Sequence, residues 1–306
     1  MRDWFSRRTF DGSSYTIESL RGLERPSVSV VLPARGVAET LGGVLEGIEP
    51  ARNAGLVDEV VVVIAPESDG SAAIARQHGV MVLQRDEIMA HLGPSLGKGD
   101  ALWRALSATA GEIVLFLDTD TRNFDVGFVT GLLGPLLEDP SLHFVKGAFG
   151  RPLLLGDVRL EGEGGRVTEM VARPLINLYF PELAGFVQPL AGELAARRSL
   201  VERIAFPVGY GVEIGLLIDA LEAVGLHGLA QVDLGRREDR TKPLRELVPM
   251  AQSVLVTMLR RAGITVPDAP GRIGRAGSDG IEFLEVPTLE RPPLASLPER
   301  RAGGLP

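Results

Sequence analysis

The chain has 306 residues, 45% of them apolar and 24% charged, enough to bury a large core in one large domain or two smaller ones. Its formal charge is −8 with the basic residues scattered, which argues against nucleic acid as a partner, and the absence of cysteine excludes disulfides, thiolate metal sites and a cysteine nucleophile while suiting a reducing cytoplasm. The opening MRDWFSRRTF has no apolar h-region and no apolar run approaches the ~18 residues of a spanning helix, so the chain reads as cytoplasmic, away from membranes, with only its ends prone to disorder.

In chain order, SVSVVLPA (27–34) and DEVVVVIAP (58–66) read as buried strands of the near-continuous apolar kind found in parallel sheets, with AETLGGVLEGIEPARNAG (38–55) as the helix between them. A helix near 70–78 leads to the strand GVMVLQR, and the helix GKGDALWRALSATAG (97–111) leads to the strand EIVLFLD. Strand and helix alternate, which predicts a right-handed βαβ array: an α/β fold with an open, Rossmann-like, mostly parallel sheet that gathers ligands at the carboxyl ends of its strands. Further on, HFVKGAFGRPL gives one more strand, LGDVRLEGEGGR a glycine-rich loop, and VTEMVARPLINLYF a helix. GYGVEIGLLIDALEAVG is helical, LHGLAQVDLG is strand-like, and a long helix follows near 244–262. The tail after Gly263 is rich in Pro, Gly and Arg and reads as an extended arm.

Five places carry chemistry. Asp118 and Asp120 end the apolar run IVLFL and project to one side of an extended chain, where oxygen-only ligands suit a hard divalent ion such as Mg²⁺ or Mn²⁺, although a turn cap beside a solvated carboxylate accounts for the same letters. Lys98 stands between two glycines at a helix start, a place for a phosphate, but Gly93 and Gly97 are too close for a P-loop and Gly99 replaces its Ser or Thr, so a solvated helix-cap lysine stays open. Gly164, Gly165, Arg166 and Thr168 open the next helix with a forked guanidinium, a hydroxyl and free N–H groups that suit a phosphate or carboxylate, or else form a flexible loop capped by Thr168. Glu213 begins an otherwise apolar helix, where a dipole partner is the plain reading. Arg237, Asp239, Arg240 and Lys242 lie in GRREDRTKPL, a pattern that also fits a solvated charge run.

In this order, PSLGKGDALWRAL, FLDTD, GGRVTEMVARPL, QPLAGELAARR and GYGVEIGLLID resemble the retaining glucosyl-3-phosphoglycerate synthases of actinobacteria and their mannosyl-transferring relatives, over about residues 28–262. The resemblance implies a GT-A fold and transfer of glucose or mannose from GDP-mannose, GDP-glucose or UDP-glucose to the 2-hydroxyl of 3-phosphoglycerate, with Mg²⁺ or Mn²⁺ as cofactor. It implies donor contacts at Pro33, Ala34, Arg35, Lys98, Asp118, Thr119 and Asp120, and acceptor contacts at Gly164, Gly165, Arg166, Thr168, Tyr210, Glu213 and Arg237. Asp120 and Glu213 take the catalytic roles, and Asp118, Asp120 and Asp239 hold the metal, Asp239 standing where the family usually has histidine. A second departure is IAPESDG, where relatives carry a DSGS-like turn, leaving Glu67 and Ser68 as substitutes. The organisation expected is an N-terminal extension (1–25), a nucleotide-sugar half (26–150), an acceptor-binding half (151–262) and the C-terminal arm (263–306), in a homodimer. Two rivals are a nucleotidyltransferase, which wants a glycine-rich loop where LPARGVAETL has a single glycine, and a sugar-nucleotide-binding protein without activity.

Overall fold

The valine-rich runs of the first half become the middle of an eight-stranded sheet. The structure, a computed structural model, describes residues 2–66, 69–155, 158–160, 164–238, 242–267 and 271–298. In chain order the strands are β1 (Thr9–Asp11), β2 (Val28–Ala34), β3 (Glu59–Ile64), β4 (Met81–Gln84), β5 (Ile113–Phe116), β6 (Phe144–Gly150), β7 (Leu194–Arg197) and β8 (Leu229–Arg236). They lie in the order β1-β8-β6-β7-β5-β2-β3-β4, every pair parallel except those of β7, which runs antiparallel between β5 and β6. The expected mostly parallel α/β sheet is therefore present.

Both faces are covered, which is why the strands read as continuous apolar runs. Val31, Val61, Val63, Val114 and Phe116 face one layer, built on the helices Lys98–Ser107 and Val212–Val224. Their neighbours Val30, Leu32, Val60, Val62 and Leu115 face the other, against the helices Ala38–Asn53 and Gly127–Glu138. The second of these was not legible in the sequence, because GFVTGLLGPLLE carries three glycines and a proline and is helical by packing rather than by propensity. Strand β7 was also missed: four residues, three of them alanine or arginine, carry no strand signal of their own.

The ends correct their expectation. Residues 2–25 are not a disorder-prone extension, since Trp4 is buried, donates from Nε1 to the carbonyl of Leu226 at 2.9 Å and packs 4.7 Å from the Phe186 ring. Strand β1 adds an edge to the sheet, and the Tyr15 ring lies directly over Gly134, whose missing side chain makes the room. Residues 271–298 of the C-terminal segment are not a free arm. A hairpin (Arg272–Gly277 and Gly280–Glu285) precedes Glu290–Arg291, which pairs with Phe206–Pro207. Arg291 then grips Asp100 through Nε and Nη2, each at 2.8 Å, while Trp103 Nε1 donates to the carbonyl of Pro292 at 2.8 Å. Arginine and tryptophan contacts of this kind bring distant residues together and leave no periodic trace. No helix among the described residues is long and apolar enough to cross a membrane.

Asp100 is fully buried, and its remaining partners are Arg104 Nε at 3.2 Å and the Leu96 N–H at 2.9 Å. Arg291→Ala should therefore cost about 3 kcal/mol, the lower end for leaving a buried charge short of a partner. Denaturant unfolding at neutral pH checks it, with a change in midpoint at constant slope as the expected result.

Candidate functional site

The carboxyl ends of β2 and β5 open into a cleft of about 420 Å³. Pro33, Ala34 and Arg35 reach it from β2, Asp118, Thr119 and Asp120 from β5, and Lys98 from the helix start between them. Gly164, Gly165, Arg166 and Thr168 line it as well, as do Tyr210, Glu213 and Arg237. Glu67, Ser68, Asp239 and Arg240 lie outside the described residues; the other expected site residues all line this one cleft.

The local fold sorts the three residues after β5. Thr119 turns inward: its hydroxyl donates to the carbonyl of Pro33 at 2.6 Å, and its own carbonyl accepts from Thr40 Oγ1 at 2.6 Å. Asp118 and Asp120 are thereby left on the other side, close enough for a single nitrogen, Arg237 Nη2, to reach Asp120 Oδ1 at 2.6 Å and Asp118 Oδ2 at 3.3 Å. The Asp118 carboxyl rests against Gly192, where a Cβ would come within 2.3 Å of its oxygens.

Lys98 pairs with Asp118 and, at 2.6 Å, with Glu213 Oε1. Burial disfavours its charge, but these two carboxylates more than offset that and hold the ammonium above the ordinary lysine range. Burial likewise raises Asp118, and Lys98 and Arg237 outweigh it, keeping the carboxyl well below the usual range. The glycines around Lys98 have a packing reason of their own. A Cβ on Gly99 would lie 1.9 Å from the carbonyl of Pro207, and the Asp100 N–H already donates to the carbonyl of Val208 at 3.1 Å.

A second, deeper layer of charge stands behind the first. Glu193 is fully buried and lies 3.0 Å from Arg237 Nη1; burial pushes its carboxyl up to about 7, against the opposing pull of Arg237. Lys146, also fully buried, donates to the carbonyl of Ala191 at 2.6 Å, and burial brings its ammonium down to about 8. Neither residue was singled out in the sequence, yet each had a signal: one charge inside an apolar strand context, as in HFVKGAF and LAGELAA, is costly unless paired.

In the segment Gly164–Thr168, Gly165 takes φ +72°, which lets the chain turn into a π-helical stretch, Thr168–Ala172, at the head of the helix Arg173–Tyr179. Thr168 is buried there, Arg166 Nη2 donates to the carbonyl of Lys242, and the Lys242 ammonium lies 5.9 Å above the Tyr210 ring. In a chain of net charge −8, this cleft gathers Arg35, Arg85, Lys98, Arg151, Arg166, Arg237 and Lys242 against Asp118, Asp120, Glu213 and Glu285. It is suited to polyanions.

Residues 29–149 match the family model described as glycosyl transferase family 2. A glucosyl-3-phosphoglycerate synthase of Mycolicibacterium smegmatis is 41% identical over 302 residues, covering 97% of this chain and 99% of the relative. The chain belongs to the glucosyl-3-phosphoglycerate and mannosyl-3-phosphoglycerate synthase family. Within that family, the crystal structure of mannosyl-3-phosphoglycerate synthase from Rubrobacter xylanophilus superposes with TM-score 0.83 at 41% identity, covering 97% of this chain and 99% of the other. Glucosyl-3-phosphoglycerate synthase from Mycobacterium tuberculosis, in complex with Mn²⁺, UDP-glucose and phosphoglyceric acid, gives 0.82 at 40% identity and covers 92% and 94%. The departure at IAPESDG has a local use: Asp69 Oδ2 accepts from the N–H groups of Val37 at 2.7 Å and Ala38 at 3.1 Å, capping the helix that follows β2.

Gly192→Ala should push the Asp118 carboxyl aside without touching the sheet. A misplacement of this size costs on the order of a hundredfold in kcat/KM. Steady-state kinetics beside an unchanged circular dichroism spectrum is the check.

Proposed function

We propose that this chain transfers a hexosyl group from a nucleoside-diphosphate sugar to the 2-hydroxyl of 3-phosphoglycerate, with retention and with Mg²⁺ or Mn²⁺ as cofactor. The observation that carries the proposal is that the candidate donor residues and the candidate acceptor residues line one cationic cleft together with Asp118 and Asp120. Relatives that transfer glucose and mannose both stand at 41% identity, so the donor is proposed as a class, with GDP-mannose, GDP-glucose and UDP-glucose as its members. The absence of cysteine suits the proposed cytoplasmic setting.

The residues present fit a divalent ion. Among the described residues no cluster of three carboxylate or imidazole ligands occurs, but Asp118 and Asp120 offer hard oxygens that converge on one positive group, the Arg237 guanidinium, which stands in for a cation there. Asp118 and Asp120 would hold the ion, with Asp239 as the third proposed ligand, and when bound it would neutralise the donor diphosphate. Lys98 adds a fixed positive charge beside the carboxylates, while Glu213, fastened to Lys98, is proposed to orient the acceptor hydroxyl. Arg166 and Thr168 offer a charged fork and a hydroxyl for the acceptor's phosphate or carboxylate. With positioning as the main contribution, front-face transfer, in which the leaving phosphate takes the acceptor proton, needs no protein nucleophile.

Incubating the protein and Mg²⁺ or Mn²⁺ with 3-phosphoglycerate and each of the three sugar nucleotides tests the reading: mass spectrometry should find a hexosyl phosphoglycerate with at least one donor. Formation of a sugar nucleotide from a nucleoside triphosphate and a hexose phosphate, with no such product, would overturn it in favour of a nucleotidyltransferase. Arg166→Ala should then raise the KM for 3-phosphoglycerate by more than about tenfold, the worth of a charge-assisted contact, with the donor KM little changed. The reverse pattern would reassign GGRVT to the donor.

A further inference from the structure

Arg237 is placed in a way that acceptor binding alone does not explain. An arginine that only captured an anion would turn its donors to the open cleft, yet this residue is 3% exposed and both terminal nitrogens are engaged by carboxylates. Nη1 is fastened to Glu193, which immediately precedes β7 and whose carbonyl accepts from the Gly147 N–H at 2.9 Å, so this anchor belongs to the rigid sheet. The Phe149 ring covers one face of the guanidinium, 5.5 Å from its centre. Nη2 is the other end of the fork, and it lies between the two carboxylates that any divalent ion in this cleft would need. Two cations cannot share that space, because like charges a few ångströms apart repel strongly in a partly buried site.

We propose that Arg237, held by Glu193, is a displaceable counter-ion of the Asp118–Asp120 pair: a divalent cation takes its place, and the displaced end of the guanidinium turns to the anionic acceptor. Glu193 is then a positioning residue, the pivot about which the fork swings, and it keeps the guanidinium paired in either position. In the ion-free protein the arginine keeps two carboxylates from facing each other uncompensated, and in the loaded one it is available to a phosphate or carboxylate. Cation and acceptor thereby strengthen each other's binding, and the coupling is reciprocal. The acceptor half of this inference rests on the function proposed above; the counter-ion half does not.

Titrating the full chain with Mn²⁺, with free ion read by electron paramagnetic resonance and no donor present, tests both halves. In the unaltered protein, saturating 3-phosphoglycerate should tighten Mn²⁺ binding by about tenfold, inside the 5–150-fold range usual for coupled sites. Arg237→Ala should bind Mn²⁺ alone at least about fivefold more tightly and lose the response to 3-phosphoglycerate, because the competitor and the messenger are the same group. Glu193→Gln should do the opposite to Mn²⁺ alone, weakening it, since an unanchored guanidinium closes fully on Asp118 and Asp120. Arg85→Ala, which removes a cleft cation of no assigned role, should leave Mn²⁺ affinity within about twofold, separating contact from the general field. Should Arg237→Ala fail to fold, Arg237→Gln keeps a donor for Glu193 without the charge and gives the same reading. Unchanged or weaker Mn²⁺ binding in the Arg237 variant, equal tightening in Arg85→Ala, or a 3-phosphoglycerate effect that survives without Arg237 would each overturn the proposal. If 3-phosphoglycerate binds no form of the protein, the function fails, while the comparison with Mn²⁺ alone still decides the counter-ion.

Discussion

Asp118, Asp120, Glu193 and Glu213 converge at one end of the sheet, and they coexist there because Lys98 and Arg237 are threaded between them. Carboxylates so placed repel one another and resist burial, and a pair of cations with two partners or more each satisfies both objections at once. An isolated ion pair in this position would contribute little, since desolvation cancels most of the attraction. The network instead sets geometry: each carboxylate has one side engaged by a cation, and of these contacts only those of Arg237 Nη2 are proposed to give way. The substrates proposed for the cleft are themselves polyanions, so a site that also carries Arg35, Arg151 and Arg166 at its edges keeps the excess positive charge they need.

The scaffold around the network explains how such a costly cluster is held. Both walls of the cleft rest on elements pinned by residues far away in sequence. The helix that begins at Lys98 is fastened from behind by Arg291 through Asp100, and the strand that leads to Arg237 is flanked by β1 from the first turn of the chain. Val286 and Pro287 even reach the cleft itself. Residues 9–11 and 285–291 are thus structural parts of the site's support, and their removal is a change to the site and not a trimming of it.

How much of this was legible depended on whether the signal was local. The valine runs declared β2 and β3 because strands buried on both faces must be apolar throughout, and the alternation of strand and helix placed FLDTD at the sheet's ligand edge. The cleft residues from Pro33 to Arg237 come from widely separated segments, and the resemblance to a family, not spacing, joined them. What stayed hidden was what depends on third parties: the helix Gly127–Glu138, whose glycines are tolerated by Tyr15 and its neighbours, the antiparallel β7, and the strap that Arg291 closes. Lys98 shows the same limit in the opposite sense. Its flanking glycines look like a phosphate loop, and the structure uses them to admit the backbone of Pro207 and Val208. Glu193 and Lys146 were written plainly as lone charges in apolar strand contexts and needed only to be asked for a partner.

In the proposed function, one cleft seats donor and acceptor on opposite sides of a cation held by Asp118 and Asp120. Crystals of the protein with Mn²⁺, 3-phosphoglycerate and a non-transferable analogue of the sugar nucleotide test it most directly, through the anomalous signal of manganese and phosphorus. One manganese peak is expected within coordination distance of both carboxylates, with the diphosphate on the side of Arg35 and the acceptor phosphate beside Arg166 and Thr168. A manganese peak elsewhere in the cleft, or an acceptor phosphate seated by Pro33 and Arg35, would contradict it.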